Sequence, residues 1–184
     1  MYFPILRGRQ FELLALRECV KENVLSSQII PIVEPVKVSS TYIKTIDSFI
    51  EAEKPIAVIR NPQVGSWSKD LKKESNINIS AQFQKQCKAP CVISSFYVTP
   101  ELEKDIRSAI EKGNSIESML LLCNNPEYVD EYENVIGEKT PLYTLIPDRG
   151  DFRRRIRSNR VMCEDHFPKQ TRNIDYLDTE TEFF

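Results

Sequence analysis

The chain has 184 residues, of which 41% are hydrophobic and 28% charged, and its formal net charge is -2. A chain of this length suits one hydrophobic core, since roughly 70% of the unfolded surface is buried at this size. The composition excludes a disordered or collagen-like chain, and the charge excludes a protein that coats nucleic acid over its whole surface. We therefore expect a single domain over 1–184 and only local anion-binding surfaces.

The sequence predicts a cytoplasmic protein without a membrane span. No window approaches 18 uncharged apolar residues, and the N-terminus lacks the basic and apolar regions of a signal peptide. The five cysteines are odd in number and irregularly spaced, which is typical of reduced thiols. Cys87 and Cys91 have no second pair at zinc-binding spacing, and no nucleotide-binding motif occurs. We expect neither a metal nor a cofactor.

Seven short apolar runs alternate with stretches of helical period, which predicts (β/α) repeats and a parallel sheet. The runs are continuously apolar, as expected of strands buried on both faces. They cover 2–6, 29–36, 55–59, 91–98, 119–123, 142–146 and 160–163. Because seven strands are one short of a closed barrel, the sequence predicts an α/β fold that is an incomplete TIM-like (β/α)8 barrel. The alternative is an open doubly wound sheet.

Terminal signals place helices between these runs. Ser39 and Ser40 are N-cap candidates for the helix after the second run, and Pro100 and Gly113 are expected to bound the helix after the fourth. The predicted helices cover 13–24, 41–53, 100–113, 126–137 and 151–157.

The segment 61–90 interrupts this pattern. It is polar, contains one glycine, and only its latter part has helical character, so we expect a long insertion-like loop. Trp67 lies in this segment, where it either packs down and anchors the loop or, if exposed, contacts a partner.

The chain opens with the patterns YxPILRGRQxExxAL at 2–16 and PxxE at 31–34. These patterns resemble the beginning of the beta-protein family, a group of uncharacterised bacterial and phage proteins. The segments 56–66 and 165–178 are similar to one bacterial branch of that family. The resemblance implies a relative that extends beyond this C-terminus and an association with mobile elements and phage defence. It implies no particular reaction.

Polar side chains follow the apolar runs, where the carboxyl ends of parallel strands meet and ligands bind in such folds. Acidic, basic and amide groups at one edge suit an anionic ligand, although strand ends are polar in any soluble protein. The candidate ligand-binding residues are Arg7, Arg9, Arg60, Asn61, Asn124, Asp148 and Arg149. We expect Arg7, Glu34 and Arg60 to line one cavity.

Glu34, Asp165 and His166 are the candidate catalytic residues. Glu34 interrupts an apolar strand, and a buried carboxylate requires a cation, a metal or a proton, with a structural ion pair to an arginine as the alternative. His166 is the only histidine and follows Asp165 directly. It is therefore the only possible imidazole base, although it can equally be a hydrogen-bonded structural residue. If the protein is an enzyme, these groups predict a hydrolase, phosphodiesterase-like in activity.

Positive charge concentrates between residues 148 and 160. If this segment is helical, Arg153, Arg157 and Arg160 share a face that can follow a phosphate backbone, while Phe152 and Ile156 pack inward. A solvated helix paired with acidic neighbours is the alternative. These residues, together with Trp67, would suit a non-catalytic component that binds a protein or a nucleic acid in a mobile-element or defence system.

A barrel that stops after seven strands leaves two strand edges without partners. We expect these edges to be covered by the segment 174–184, which carries five apolar residues, or to pair with another chain, as in a homo-oligomer.

Overall fold

The structure is a computed structural model that describes residues 1–163. Within them, seven strands alternate with seven α-helices and three short 3-10 turns. The strands are β1 (Ile5–Arg7), β2 (Ile32–Glu34), β3 (Ile56–Ile59), β4 (Val92–Tyr97), β5 (Leu120–Leu122), β6 (Tyr143–Ile146) and β7 (Arg160–Met162). The helices are α1 (Gln10–Lys21), α2 (Ser40–Glu51), α3 (Trp67–Asp70), α4 (Ile77–Gln86), α5 (Leu102–Glu111), α6 (Val129–Ile136) and α7 (Gly150–Arg155).

The seven strands form one parallel sheet in which they follow one another in chain order from β1 to β7. This order confirms the predicted parallel (β/α) repeat and the incomplete barrel. An open doubly wound sheet reverses its strand order at a switch point, and no reversal occurs among these strands. The sheet curls like half of a barrel. Residues of its two edge strands, β1 and β7, and of the adjoining chain line the same cleft.

The two faces of the sheet have different partners. The helix side carries residues such as Val33, Val58 and Leu121, which pack against the helices in two clusters. The concave side carries the alternate residues, such as Ile32 and Ala57, which pack against one another. Because successive side chains of a strand point to opposite faces, this division tells which strand-end residues can reach the concave side.

The predicted caps explain most helix boundaries. The Ser39 hydroxyl accepts a hydrogen bond from the Tyr42 backbone N–H at 3.1 Å and begins α2. The expectation that Pro100 begins α5 is wrong by two residues, because a turn closed by Leu102 N–H and Thr99 C=O at 3.0 Å precedes the helix. Gly113 follows α5 with φ of +93°, as expected for a helix-ending glycine.

The segment 61–90 contains α3, a 3-10 turn and α4, so its latter part is helical as expected, whereas the short helix in its first part was not expected. Trp67 is only 1% exposed and packs with ring centroids 4.9 Å from Tyr42 and 5.1 Å from Phe83. The polar residues of the segment cover its outer surface, while these three aromatic rings fill the space beneath it. Of the two roles considered for Trp67, the structure therefore supports the anchor.

The edges of the sheet, β1 and β7, each pair with one strand among the described residues. Residues 1–5 and 161–163 line a cleft of about 400 Å³ between them, which we call the seam. Apolar side chains remain exposed along it, with Tyr2 64%, Ile5 42% and Met162 42% exposed. The segment 174–184, which we expected to cover this edge, lies outside the described residues.

Candidate functional site

Arg7, Glu34 and Tyr97 meet at the carboxyl ends of β1, β2 and β4 on the concave side, and we call this group the mouth site. Arg7 and Glu34 are direct partners in the β1–β2 register. Glu34 alternates with Val33 of the helix side, and Tyr97 packs with the concave cluster. Burial raises the pKa of the Tyr97 phenol, and the nearby charge of Arg7 opposes that rise. Two of the predicted residues, Arg7 and Glu34, are therefore together.

Glu34 is only 3% exposed and is held by two uncharged donors. Its Oε1 accepts a hydrogen bond from the backbone N–H of Gln63 at 2.8 Å, and its Oε2 accepts one from the Tyr97 hydroxyl at 3.2 Å. No lysine or arginine of the described chain forms an ion pair with it. The predicted burial of this carboxylate is confirmed, and hydrogen bonds replace the arginine ion pair that was the alternative.

Tyr97 is kept protonated by its surroundings. Burial raises the pKa of the Tyr97 phenol most, and the neighbouring Glu34 carboxylate raises it further, while Arg7 acts in the opposite direction. A protonated phenol donates its hydrogen to the carboxylate, so the pair has a fixed donor and a fixed acceptor.

Asn61 extends the sheet at the end of β3. Its Oδ1 accepts from the Tyr97 backbone N–H at 2.8 Å, and its Nδ2 donates to the Tyr97 carbonyl at 3.0 Å. The same Nδ2 donates to Oδ2 of Asp105 at 3.0 Å, and burial raises the pKa of that carboxyl. Since these bonds occupy both ends of the amide, Asn61 positions Tyr97.

Arg60 lies on the other side of the sheet from Arg7 and Glu34, so the expectation that the three side chains line one cavity is wrong. Its guanidinium donates to Ser94 Oγ at 3.3 Å and to Gln84 Oε1 at 3.1 Å, and it lies 5.9 Å from the ring centre of Phe83. Phe83 and Gln84 belong to α4, which covers the helix side. The direction follows from strand alternation, because Arg60 comes one residue after Ile59 of the concave cluster.

The remaining candidates do not gather at the mouth site through any described contact. Asn124 is exposed after β5. Asp148 forms an ion pair with Arg153 at 3.0 Å, and Arg149 forms one with Asp151 at 2.7 Å. These two pairs satisfy the charges locally, at the start of α7.

Arg9 lies at the start of α1, where its backbone N–H donates to Glu12 at 3.1 Å and its exposed side chain forms no ion pair within residues 1–163. Asp165 and His166 lie outside the described residues, so their role as catalytic groups stays a prediction.

The predicted arginine stripe does not form on one helix face. The helix α7 ends at Arg155, because Ile156 adopts an extended conformation, and Arg160 belongs to β7. The Arg160 guanidinium donates to the Arg153 carbonyl at 2.7 Å instead of lining up with its side chain. The inward packing of Phe152 and Ile156 is confirmed, since both are buried. Nucleic-acid binding by Arg153, Arg157 and Arg160 stays a prediction, but without the helical geometry.

Arg155 forms the ion pairs with acidic neighbours that were the alternative to a nucleic-acid-binding stripe. Its guanidinium forms ion pairs with Asp130 and Glu133 of α6, so the basic helix is paired with acidic neighbours. These contacts join α7 to the preceding repeat.

Two contributors to the mouth site were missed from the sequence. Tyr97 looks like part of an apolar run, although its position at the end of β4 and its hydroxyl are the signals that distinguish it. The backbone N–H of Gln63 has no sequence signal, because it depends on how the chain turns after β3.

Comparison of the chain with protein-family models, with curated proteins and with solved structures finds no match. The resemblance to the beta-protein family therefore stays a prediction. None of the described helices is long and apolar enough to cross a membrane. Within residues 1–163, no group of three or more histidine, cysteine or acidic residues is placed to hold a metal ion.

Proposed function

We propose that the protein binds a small anionic ligand, with a phosphate or carboxylate group, at the mouth site. The observation that carries the proposal is that the Arg7 side chain is exposed and has no ion-pair partner among the described residues. The side chain lies beside a buried carboxylate that other donors already satisfy. A guanidinium in this state can donate two parallel hydrogen bonds to an incoming phosphate or carboxylate.

The chain around Arg7 is held close to β2. Gly8 is packed so tightly that a Cβ atom there would lie 3.3 Å from the Glu34 carbonyl oxygen, and its N–H donates to that oxygen at 2.7 Å. Arg9 brings a second exposed guanidinium two residues from the first. Gly8 therefore lets the chain after β1 lie close to β2, which holds Arg7 beside Glu34.

A small molecule fits this arrangement better than a nucleic acid. The mouth site contains one exposed cation, Arg7, with Arg9 two residues away along the chain, whereas binding along a nucleic-acid backbone uses several phosphate contacts in a row. The basic segment at 149–160, which would have to supply these contacts, has Arg149, Arg153 and Arg155 committed to ion pairs.

A hydrolytic, phosphodiesterase-like activity is the catalytic form of this proposal. In it Glu34 acts as general base toward a water molecule, and Asp165 and His166 complete the site. Each oxygen of Glu34 accepts one described hydrogen bond, which leaves further acceptor capacity on the carboxylate. Because Asp165 and His166 lie outside the described residues, the proposal rests on ligand binding.

The test is an NMR titration of the full chain with inorganic phosphate. We expect saturable shifts at the amides of residues 7–9 and 34, a loss of binding of about tenfold in Arg7→Met, and partial recovery in Arg7→Lys. Arg107→Met, which removes an exposed arginine of α5 that is paired with Glu103, is the matched control and should leave binding unchanged. Equal affinity in Arg7→Met and the original protein, or no saturable shift at 7–9, would refute the proposal.

The second candidate function is non-catalytic: an extended segment of a protein partner, a second copy of this chain being the simplest, adds to the sheet at the seam. It is favoured by the two strand edges that face one cleft and by the apolar side chains exposed along it. Unpaired backbone groups of a strand edge are a template for another strand. Light scattering tests it: Met162→Lys should lower the average mass of an assembly, whereas a monomer at every concentration would refute self-association.

A further inference from the structure

A cavity larger than the seam lies at the opposite end of the sheet from the mouth site. Its volume is about 510 Å³, compared with about 400 Å³ for the seam. It opens where α4 and α5 end, between the segments that lead into β4 and β5, and we call it the α4–α5 pocket. Its walls include Cys87–Pro90, Val92–Ser94 and Lys112–Asn114, with Ser118 and Leu142.

The walls of the α4–α5 pocket combine apolar surface with a few polar groups. Ala89, Pro90, Val92 and Leu142 supply the apolar part. Pockets that bind small molecules have this character and typically a volume of roughly 300–1,000 Å³.

A chain of hydrogen bonds connects this pocket to a half-buried cation. Arg60 donates to the Ser94 hydroxyl at 3.3 Å, and that hydroxyl donates to Oδ1 of Asn114 at 3.1 Å. Ser94 is only 2% exposed, and Asn114 is fixed by its own Nδ2 bond to the Ala109 carbonyl at 3.1 Å. The polar wall is therefore held in place before any ligand arrives.

The electrostatic environment of the pocket is positive. Lys88 and Lys112 belong to its walls, Arg60 lies behind Ser94, and none of the three forms an ion pair within residues 1–163. No aspartate or glutamate lines the described pocket. The carboxyl ends of α4 and α5 add negative partial charge, about half an elementary charge each, which offsets only about one of the three cations.

The pKa of the Cys87 thiol is affected by two of these positive charges. Burial raises its pKa to about 11, and the two charges that oppose this rise are Arg60 and Lys112. Both cations therefore act on a point in the wall of the pocket.

We propose that the α4–α5 pocket is a second binding site, which takes a small molecule with one anionic group and an apolar body, such as an aryl phosphate or an aryl carboxylate. The anionic group lies between Lys88 and Lys112, and the apolar body lies against Val92 and Leu142. The site is separate from the mouth site, because its residues begin β4 or precede β4, β5 and β6, whereas the mouth residues end their strands. It does not depend on the proposed function.

The test is calorimetric and NMR titration of the full chain with phenyl phosphate and with benzoate as separate probes. We expect saturable binding with shifts at the amides of residues 113, 114 and 118, and the tighter probe identifies the preferred anionic group. Inorganic phosphate should bind here about tenfold more weakly than phenyl phosphate, because it lacks the apolar body. Benzyl alcohol, which lacks the charge, should bind weakly as well.

Lys112→Met and Lys88→Met should each weaken phenyl phosphate binding by about tenfold, since each removes a charged donor. Lys44→Met, an exposed lysine of α2, is the matched control. Arg7→Met should leave these shifts unchanged, which separates this site from the mouth site. No saturable shift at 113–118, or equal affinity in Lys112→Met, Lys88→Met and Lys44→Met, would overturn the proposal.

Discussion

The Tyr97 hydroxyl donates to Oε2 of Glu34 at 3.2 Å, although the two residues are 63 positions apart in the chain. The contact spans from β2 to β4, across the end of the intervening strand, and brings a phenol and a carboxylate together next to the strand that carries Arg7. It depends on the curl of the sheet and on Asn61, which fixes the Tyr97 backbone from β3. The mouth site is thus assembled by four successive repeats, from β1 to β4.

Replacing Tyr97 by phenylalanine removes one of the two donors to the buried Glu34 carboxylate. We expect Tyr97→Phe to lower the free energy of unfolding by about 1–3 kcal/mol, because a buried acceptor loses its partner. Urea denaturation measures it. Tyr143→Phe is the matched control, since the Tyr143 hydroxyl has no hydrogen bond to another described residue. Equal stability of Tyr97→Phe and Tyr143→Phe would show that this bond does not contribute.

Asp105 should make stability depend on pH in the acidic range. Burial raises the pKa of its carboxyl above 3.8, so between 3.8 and the raised value the folded state binds more protons than the unfolded state. The free energy of unfolding from this group therefore falls as pH rises through that interval. Asp105→Asn removes the titration, so the stability of Asp105→Asn relative to the original protein should rise with pH and then level off.

Urea denaturation from about pH 3 to about pH 7 measures this difference. Glu117→Gln, at an exposed position, corrects for the general effect of removing a carboxylate. A stability difference that stays constant with pH would contradict the prediction for Asp105.

The repeat architecture was predictable because every strand lies in a largely apolar run, but the strand bounds were not. The second run covers 29–36, whereas β2 contains only Ile32–Glu34. Pro31 and Pro35 flank this strand, and a proline has no N–H to extend the ladder of hydrogen bonds. An apolar run shows which residues are buried. The bounds of a strand depend instead on which residues pair with a neighbouring strand through backbone hydrogen bonds.

The mouth site was predictable in part. Glu34 stood out as one carboxylate in an apolar run, and its burial followed. The side of the sheet on which the Arg60 side chain lies could not be predicted. A strand that is buried on both faces has no polar alternation to show which residues face which side. A shift of one residue along β3 decides between the concave side and α4.

Gly65 is required by the turn that leads into α3. Its φ is +74°, and a Cβ atom there would lie 2.0 Å from the Val36 carbonyl oxygen. That oxygen also accepts hydrogen bonds from the N–H groups of Ser66 and Trp67 at 2.8 and 3.2 Å. We expect Gly65→Ala to destabilise the protein by more than about 1 kcal/mol in urea denaturation.

Gly150→Ala is the control for Gly65→Ala. A Cβ atom at Gly150 would meet nothing within 4 Å, and the residue begins α7. This substitution should be neutral or slightly stabilising, since alanine favours helix. If Gly65→Ala were as stable as Gly150→Ala, the close approach of Gly65 to Val36 would not exist in solution.

Trp67 should contribute more to stability than any other residue of the 61–90 segment, because it joins α3 to α2 and α4 through Tyr42 and Phe83. Trp67→Ala leaves a cavity among these rings, and we expect a loss of about 3–5 kcal/mol in the free energy of unfolding. Trp67→Phe retains an aromatic ring and should lose less. Phe11→Ala, at a side chain that is 84% exposed, is the control and should change little. A partner-contacting tryptophan would behave differently: Trp67→Ala would then match Phe11→Ala in urea denaturation, and the indole fluorescence of the original protein would report a solvent-exposed ring.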